Sequence, residues 1–293
     1  MLRGIVRLSV LLTMAAVLSC LSLILLVSIH TGDTARTGIL IDHGQICSVG
    51  FDKNMINVYT QTGKKICGYK VGDSESKIFS SCISDLDADG TDELLLVLGK
   101  DKNEYGEYLL ILKPLTGGAD AWSHAAGDTQ TAPGLKQIYR FDMSEINPWK
   151  VQTCDVDGDG NKEISVGVYK KAVFHPVMAK RPFIYNWTDG QMCPKWLGSR
   201  LARPFDDYVF SDINSDGRDE LISTELLADG SKAVNTYGWK GFGFESTGGS
   251  GSYRDILEIR KTTGHAIEIN AVADGRSKWI ALHYVNGTLV EVQ

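Results

Sequence analysis

The chain has 293 residues, 43% of them hydrophobic and 23% charged, and a net charge of -6. That length can bury a core without staples, and those proportions belong to a globular protein rather than a disordered one. An acidic balance with no basic block excludes a nucleic-acid partner.

The first element is apolar. Leu8 to Ile29 (LSVLLTMAAVLSCLSLILLVSI) is 22 residues without a charge. As a helix it would be roughly 33 Å long, enough to span a bilayer core. Arg3 and Arg7 precede it and no Lys or Arg follows before Arg36, which places the short N-terminus in the cytoplasm and the rest outside. Two other readings compete. A cleaved signal peptide ordinarily has a shorter apolar core and an A-x-A-like site, which is not found here. A lipoprotein signal would use Cys20 in VLSC, but the LSLILLVSI after it stays apolar. All three leave the remainder outside the cytoplasm. The expected organisation is a membrane anchor or signal anchor over 1–30, a polar linker over 31–37 and a repeat domain over 38–293, in a single-pass protein of the cell membrane. Without Arg3 and Arg7 the exterior part carries -8.

Five of the six cysteines (Cys47, Cys67, Cys82, Cys154 and Cys193) follow the apolar segment. They sit in apolar runs and read as small buried hydrophobes in strands. A Cys47–Cys67 disulfide is compatible with the sequence but not fixed by it. With no CxxC, a thiolate zinc site is not expected.

Beyond residue 30 the chain repeats. ISDLDADGTDELLLVLG from Ile83, TCDVDGDGNKEISVGVY from Thr153 and FSDINSDGRDELISTEL from Phe210 align without gaps. EINAVADGRSKWIALHY from Glu268 is a degenerate fourth copy that keeps only Asp274-Gly275 of the acidic pattern. The leading positions, Asp85, Asp155, Asp212 and Asn270, are 70, 57 and 58 residues apart. Periods of this size point to a repeat architecture or propeller. Short apolar runs flank each loop, and FIYNWTDGQM, VNTYGWKGFGF, LHYVNGTLVEV and INVYTQTGKKICGYK read as strands entering tight hairpins. GFESTGGSGSY (243–253) and the stretch 117–134 read as exposed loops. The expected fold is all-β: a propeller of about five four-stranded blades, whose ends combine to close the ring.

Numbered from its first aspartate, each loop has oxygen-bearing side chains at positions 1, 3 and 5. These are Asp85, Asp87 and Asp89; Asp155, Asp157 and Asp159; and Asp212, Asn214 and Asp216. Position 6 is glycine, which permits a sharp turn. Position 9 is Glu93, Glu163 or Glu220, and position 7 (Thr91, Asn161 or Arg218) can add a backbone carbonyl. Carboxylates crowded this closely repel one another unless a cation sits between them. An all-oxygen cage of this charge suits Ca²⁺ better than Mg²⁺ or Zn²⁺, and two to three structural ions are expected. The EF-hand reading fails, because position 12 is Leu96, Val166 or Ser223 and β-forming residues follow.

The pattern D-x-[DN]-x-D-G-x-x-[DE] leading into an apolar strand resembles the calcium loops of FG-GAP/VCBS repeats, the blades of integrin-alpha-like propellers and of many bacterial surface proteins. GWKGFGF loosely resembles the family's FG signature. The resemblance implies calcium at the three loops. The chain departs from the family in having Glu at position 9 where Asp is commoner, and no ion is expected at Asn270–Asp274.

Elsewhere there is no HExxH, no G-x-S-x-G and no P-loop. The six tryptophans read as packing between blades before they read as sugar-stacking platforms. Asn186 and Asn286 match the glycosylation acceptor pattern, the second within a hairpin turn. The function expected is a non-catalytic surface module for an extracellular protein or glycan partner, tied to the membrane by its N-terminal helix. The alternatives are a carbohydrate-active enzyme on a propeller scaffold, or an architectural part of an envelope assembly.

Overall fold

The computed structural model describes residues 36–42, 44–115, 134–262 and 264–292. The apolar segment Leu8–Ile29, nearly all of the 31–37 linker, and the stretch 116–133 lie outside the described residues. No helix among the described residues is long and apolar enough to cross a membrane.

The protein is all-β. Residues Thr37–Gln293 form one compact unit holding five sets of four strands, each strand bonded to the next in sequence. The first set is β1 (Arg36–Asp42), β2 (Gln45–Asp52), β3 (Met55–Thr60) and β4 (Lys65–Lys70). The second is β5 (Ser76–Ser84), β6 (Glu93–Lys100), β7 (Tyr108–Leu115) and β8 (Gly134–Asp142). The third is β9 (Pro148–Cys154), β10 (Glu163–Ala172), β11 (His175–Thr188) and β12 (Gln191–Leu197). The fourth is β13 (Phe205–Ser211), β14 (Glu220–Leu226), β15 (Lys232–Trp239) and β16 (Phe244–Tyr253). The fifth is β17 (Asp255–Lys261), β18 (Ala266–Ala273), β19 (Arg276–Val285) and β20 (Thr288–Glu291). One parallel bridge, Gly249 to Thr288, joins the last two sets into an eight-stranded sheet.

Four cores lie between successive sets, and strand periodicity explains them. β6 reads as an unbroken apolar run because both of its faces are covered. Leu94, Leu96 and Leu98 point into a core shared with the first set, where Leu40, Val49 and Val58 meet them. Leu95 and Val97 point the other way, onto Ile164, Val166 and Val168 of β10. Ile184 of β11 meets Tyr208 and Leu221 of the fourth set, and Ile222 of β14 meets Ile267 and Ile269 of the fifth. The first strands lie side by side and bond through side chains. Val151 N donates to Ser80 Oγ at 3.0 Å, Gln152 Nε2 donates to the Tyr208 carbonyl at 3.2 Å, and Lys150 Nζ pairs with Asp207 at 2.6 Å.

The hairpins read from sequence form where expected, with turns at Asp189-Gly190 and Asn286-Gly287. The described tryptophans bear out the packing reading in the main: Trp149, Trp187, Trp196 and Trp239 each meet another aromatic ring edge-on, with centroids 5.0–5.8 Å apart. The described cysteines are free thiols, Cys47 and Cys67 included.

Two expectations are overturned. GFESTGGSGSY is a strand, β16, not a loop. Glycine has low strand propensity, but here its missing Cβ is required: a Cβ on Gly248 would lie 2.1 Å from the Gly287 carbonyl oxygen, and one on Gly249 2.4 Å from Asn235 Oδ1. The degenerate fourth loop is not a copy of the other three. Asp274-Gly275 joins the second and third strands of its set, whereas the acidic loops join the first and second. It is a two-residue hairpin turn with both residues at positive φ, the geometry for which Asp-Gly is favoured.

Candidate metal centres

The three acidic loops leave the ends of β5, β9 and β13 and return as β6, β10 and β14. They share one internal hydrogen-bond pattern. The position 1 carboxylate accepts from the position 6 glycine: Gly90 N to Asp85 at 2.9 Å, Gly160 N to Asp155 at 3.0 Å, Gly217 N to Asp212 at 3.1 Å. The position 5 carboxylate accepts from the position 7 amide, at Thr91, Asn161 and Arg218, at 2.8–2.9 Å. The position 9 glutamate reaches back to the position 2 amide: Leu86 N to Glu93 at 2.9 Å, Val156 N to Glu163 at 3.0 Å, Ile213 N to Glu220 at 3.2 Å. The positive-φ glycine permits the curl in each copy. One local sequence rule thus builds the same cup three times.

Two of these cups could hold a metal ion. Ligand oxygens of Asp85, Asp87 and Glu93 lie within 4.8 Å of one another, as do those of Asp155, Asp157 and Glu163. Asp157 Oδ1 is buried with no hydrogen-bond partner, an orphaned acceptor that a cation would satisfy. Asp89 joins the first cup by facing the same cation as Asp87 and Glu93. Asp159 makes the same position 5 bond, to the Asn161 amide, but forms no ion pair with the lysine that faces Asp157 and Glu163. At position 7 it is the amides of Thr91, Asn161 and Arg218 that point into the loop. The side chain of Arg218 lies over the neighbouring loop, where its Cγ would sit 2.9 Å from a Cβ on Gly158.

The cation already facing these carboxylates is a lysine. Lys113, from β7, places Nζ 2.8 Å from Asp87, 2.8 Å from Asp89 and 2.6 Å from Glu93. Lys195, from β12, places Nζ 2.5 Å from both Asp157 and Glu163. Burial raises the pKa of Glu93 and Glu163, while the lysines pull the other way. Burial also works against the two ammonium groups, but their carboxylate partners more than offset it and both pKa values rise.

Among the described residues the third cup has no such lysine. Asn214 does the bridging, donating from Nδ2 to Glu220 at 2.8 Å and to Asp216 at 3.2 Å. An amide carries no charge. Burial, with Asp216 and Asp212 adding repulsion, pushes the Glu220 carboxyl up to about 7. His265, from the β17–β18 connection, brings Nδ1 to 2.5 Å from the Asp212 carbonyl oxygen and 3.9 Å from its carboxylate.

Position 8 also matters. Ile41 N donates to Asp92 at 2.6 Å while Asp92 N donates back to the Ile41 carbonyl at 2.8 Å. Asp155 N donates to Asp219 at 2.9 Å and Asp219 N to the Asp155 carbonyl at 2.7 Å. These two aspartates clasp the first set to the second and the third to the fourth. In the middle loop position 8 is Lys162. The signal for the clasp was present as Asp-Glu closing two of the three motifs. No local signal marks Lys113 or Lys195.

No protein-family model matches this chain, and no curated protein shows significant similarity to it.

Proposed function

We propose that the chain is an extracytoplasmic, calcium-stabilised β-propeller of the FG-GAP/VCBS kind, held at the membrane by its N-terminal apolar segment, and that it serves as a surface module for a protein or glycan partner. The observation that carries this reading is the threefold recurrence of one oxygen-lined cup at the same end of successive sheets. Ca²⁺ fits that donor set by hardness and charge, with Asp85, Asp87 and Glu93, Asp155, Asp157 and Glu163, and Asp212, Asn214, Asp216 and Glu220 as ligands. Ring closure is favoured by the outer faces of the terminal sets. Ile39, Ile41 and Ile46 of the first and Leu257, Trp279 and Val290 of the fifth are all about 40–60% exposed, and a closed ring would bury both faces. Closure also leaves few edges on which to aggregate.

A glycan-array and pull-down screen of the full chain in nanodiscs, run with calcium and with chelator and paired with a polysaccharide-cleavage assay, tests the role. Calcium-dependent retention of a ligand without cleavage supports it. Shortening of a polysaccharide would replace it with the enzymatic reading, and no ligand in either condition would remove it in favour of an architectural one.

A further inference from the structure

The end of the molecule opposite the acidic loops carries one turn that does not obey turn chemistry. Ala172 pairs with His175, so β10 and β11 are joined by Val173 and Phe174 alone. Two-residue hairpin turns favour Asn, Asp and Gly. The equivalent turns of other sets hold Lys53-Asn54, Asp229-Gly230 and Asp274-Gly275. Val173 and Phe174 are 90% and 92% exposed, and Val177 and Met178 beside them are also exposed. Backbone conformation does not demand these residues, since neither has a positive φ. β10 starts at its loop glutamate, as β6 and β14 do, but runs two to three residues further. The paired part of this hairpin is therefore about 7–10 Å longer than the strands beside it.

The tip is braced and positively flanked. Arg181 is fully buried and donates to the carbonyls of Lys170 at 2.8 Å, His175 at 3.0 Å and Val177 at 2.8 Å, tying both sides of the hairpin together. Lys170 and Lys171 lie just behind the apolar residues, Lys180 Nζ donates to the Asp206 carbonyl at 2.6 Å, and no acidic residue occurs between Glu163 and Asp189. The end of β1 sits against the first acidic loop through Ile41 and Asp92. Its start, Arg36, therefore lies at the hairpin-tip end, and the residues that include Leu8–Ile29 precede it.

We propose that the β10–β11 tip is a membrane-docking finger, with Val173 and Phe174 entering the interface of an anionic bilayer and the lysines meeting its headgroups. The siting of the chain entry in this argument rests on the membrane-anchor reading; the apolar tip and its lysines do not. Docking would hold the acidic-loop end facing away from the membrane, where a partner could reach it.

The test uses the full chain carrying Phe174→Trp, reconstituted into vesicles of phosphatidylglycerol and phosphatidylcholine or of phosphatidylcholine alone. Emission is read against the wild type, with lipids brominated near the headgroup as quencher. The expected result is a blue-shifted, quenched increment on anionic vesicles, several-fold weaker on neutral ones and lost in 0.5 M-scale salt, of order a few Debye lengths' screening. An unquenched increment, or equal quenching on both lipids, overturns the proposal. So does a blue shift that appears only when a soluble protein is added, which would make the occupant a protein. Retention of the Val173→Ser/Phe174→Ser variant through alkaline extraction reads the anchor separately: retained protein with an unquenched tip fails the finger alone, and a quenched tip on extractable protein fails the anchor alone.

Discussion

The loops that begin at Asp85 and Asp155 and the loop that begins at Asp212 have the same backbone and opposite electrostatic situations. The first two hold four acids each and face a lysine ammonium. The third holds three acids at the motif positions and an asparagine, and its glutamate is pushed up to about 7. Backbone hydrogen bonds therefore shape the cup, and the counter-charge is supplied separately. A tethered ammonium offsets one of a cup's charges by ordering one side chain. A free cation binds only in proportion to its concentration. Calcium entering either of the first two cups must displace a lysine, whereas the third offers no internal competitor.

Removing the tethered charge should have the largest effect. Lys195→Met leaves the buried Glu163 and its neighbour Asp157 without a counter-ion. Breaking one side of a buried pair costs about 3–5 kcal/mol, and Lys195 and Glu163 side chains are 12% and 3% exposed. Denaturant melts in chelator should show that loss, and millimolar calcium should recover part of it. Recovery by sodium alone would make the effect general screening.

The third loop gives a pH dependence of opposite sense to that of a salt-bridged carboxylate. Glu220 holds its proton more tightly folded than unfolded, with a pKa of about 7 against 4.5. Between those values folding takes up a proton, so in chelator stability should fall as pH rises from about 4.5 to about 7, by on the order of 3 kcal/mol. Glu220→Gln should flatten that slope. Saturating calcium should do so as well, because the ion stabilises the ionised form.

The clasps between sets should matter less. Asp219→Ala orphans the Asp155 amide, and Asp92→Ala orphans that of Ile41. Asp219→Ala should cost about 1–3 kcal/mol by loss of a charge-assisted bond to a part-buried amide, and Asp92→Ala less, because its bond to Ile41 is exposed, both seen in thermal melts. A variant that melts like the wild type would show that the sheets are held by their apolar cores alone.

The cups were legible because all their acidic residues fall within nine contiguous residues and recur in register. Their counter-charges were not: Lys113 acts on Asp87 across 26 residues and Lys195 on Glu163 across 32, and both distances depend on where later strands fold back. The fourth repeat was misread because a strand, Asp-Gly, strand pattern looks the same at either end of a sheet. Only the missing acids separated Asp274-Gly275 from a true loop. β16 was hidden for another reason: its glycines are needed for close approach by the Gly287 turn and Asn235, a tertiary demand that overrides propensity.

The most direct measurement is calorimetric titration of Ca²⁺ into the wild type, Asp216→Ala, and the Lys113→Met/Lys195→Met pair. Sites of roughly 10⁻⁴ to 10⁻³ M affinity in the wild type, one of them lost in Asp216→Ala and the others tightened once both lysines are gone, are the predicted outcome. A wild-type isotherm indifferent to Asp216, or no heat of binding even in the lysine-free variant, would contradict the assignment of these cups to a hard divalent cation.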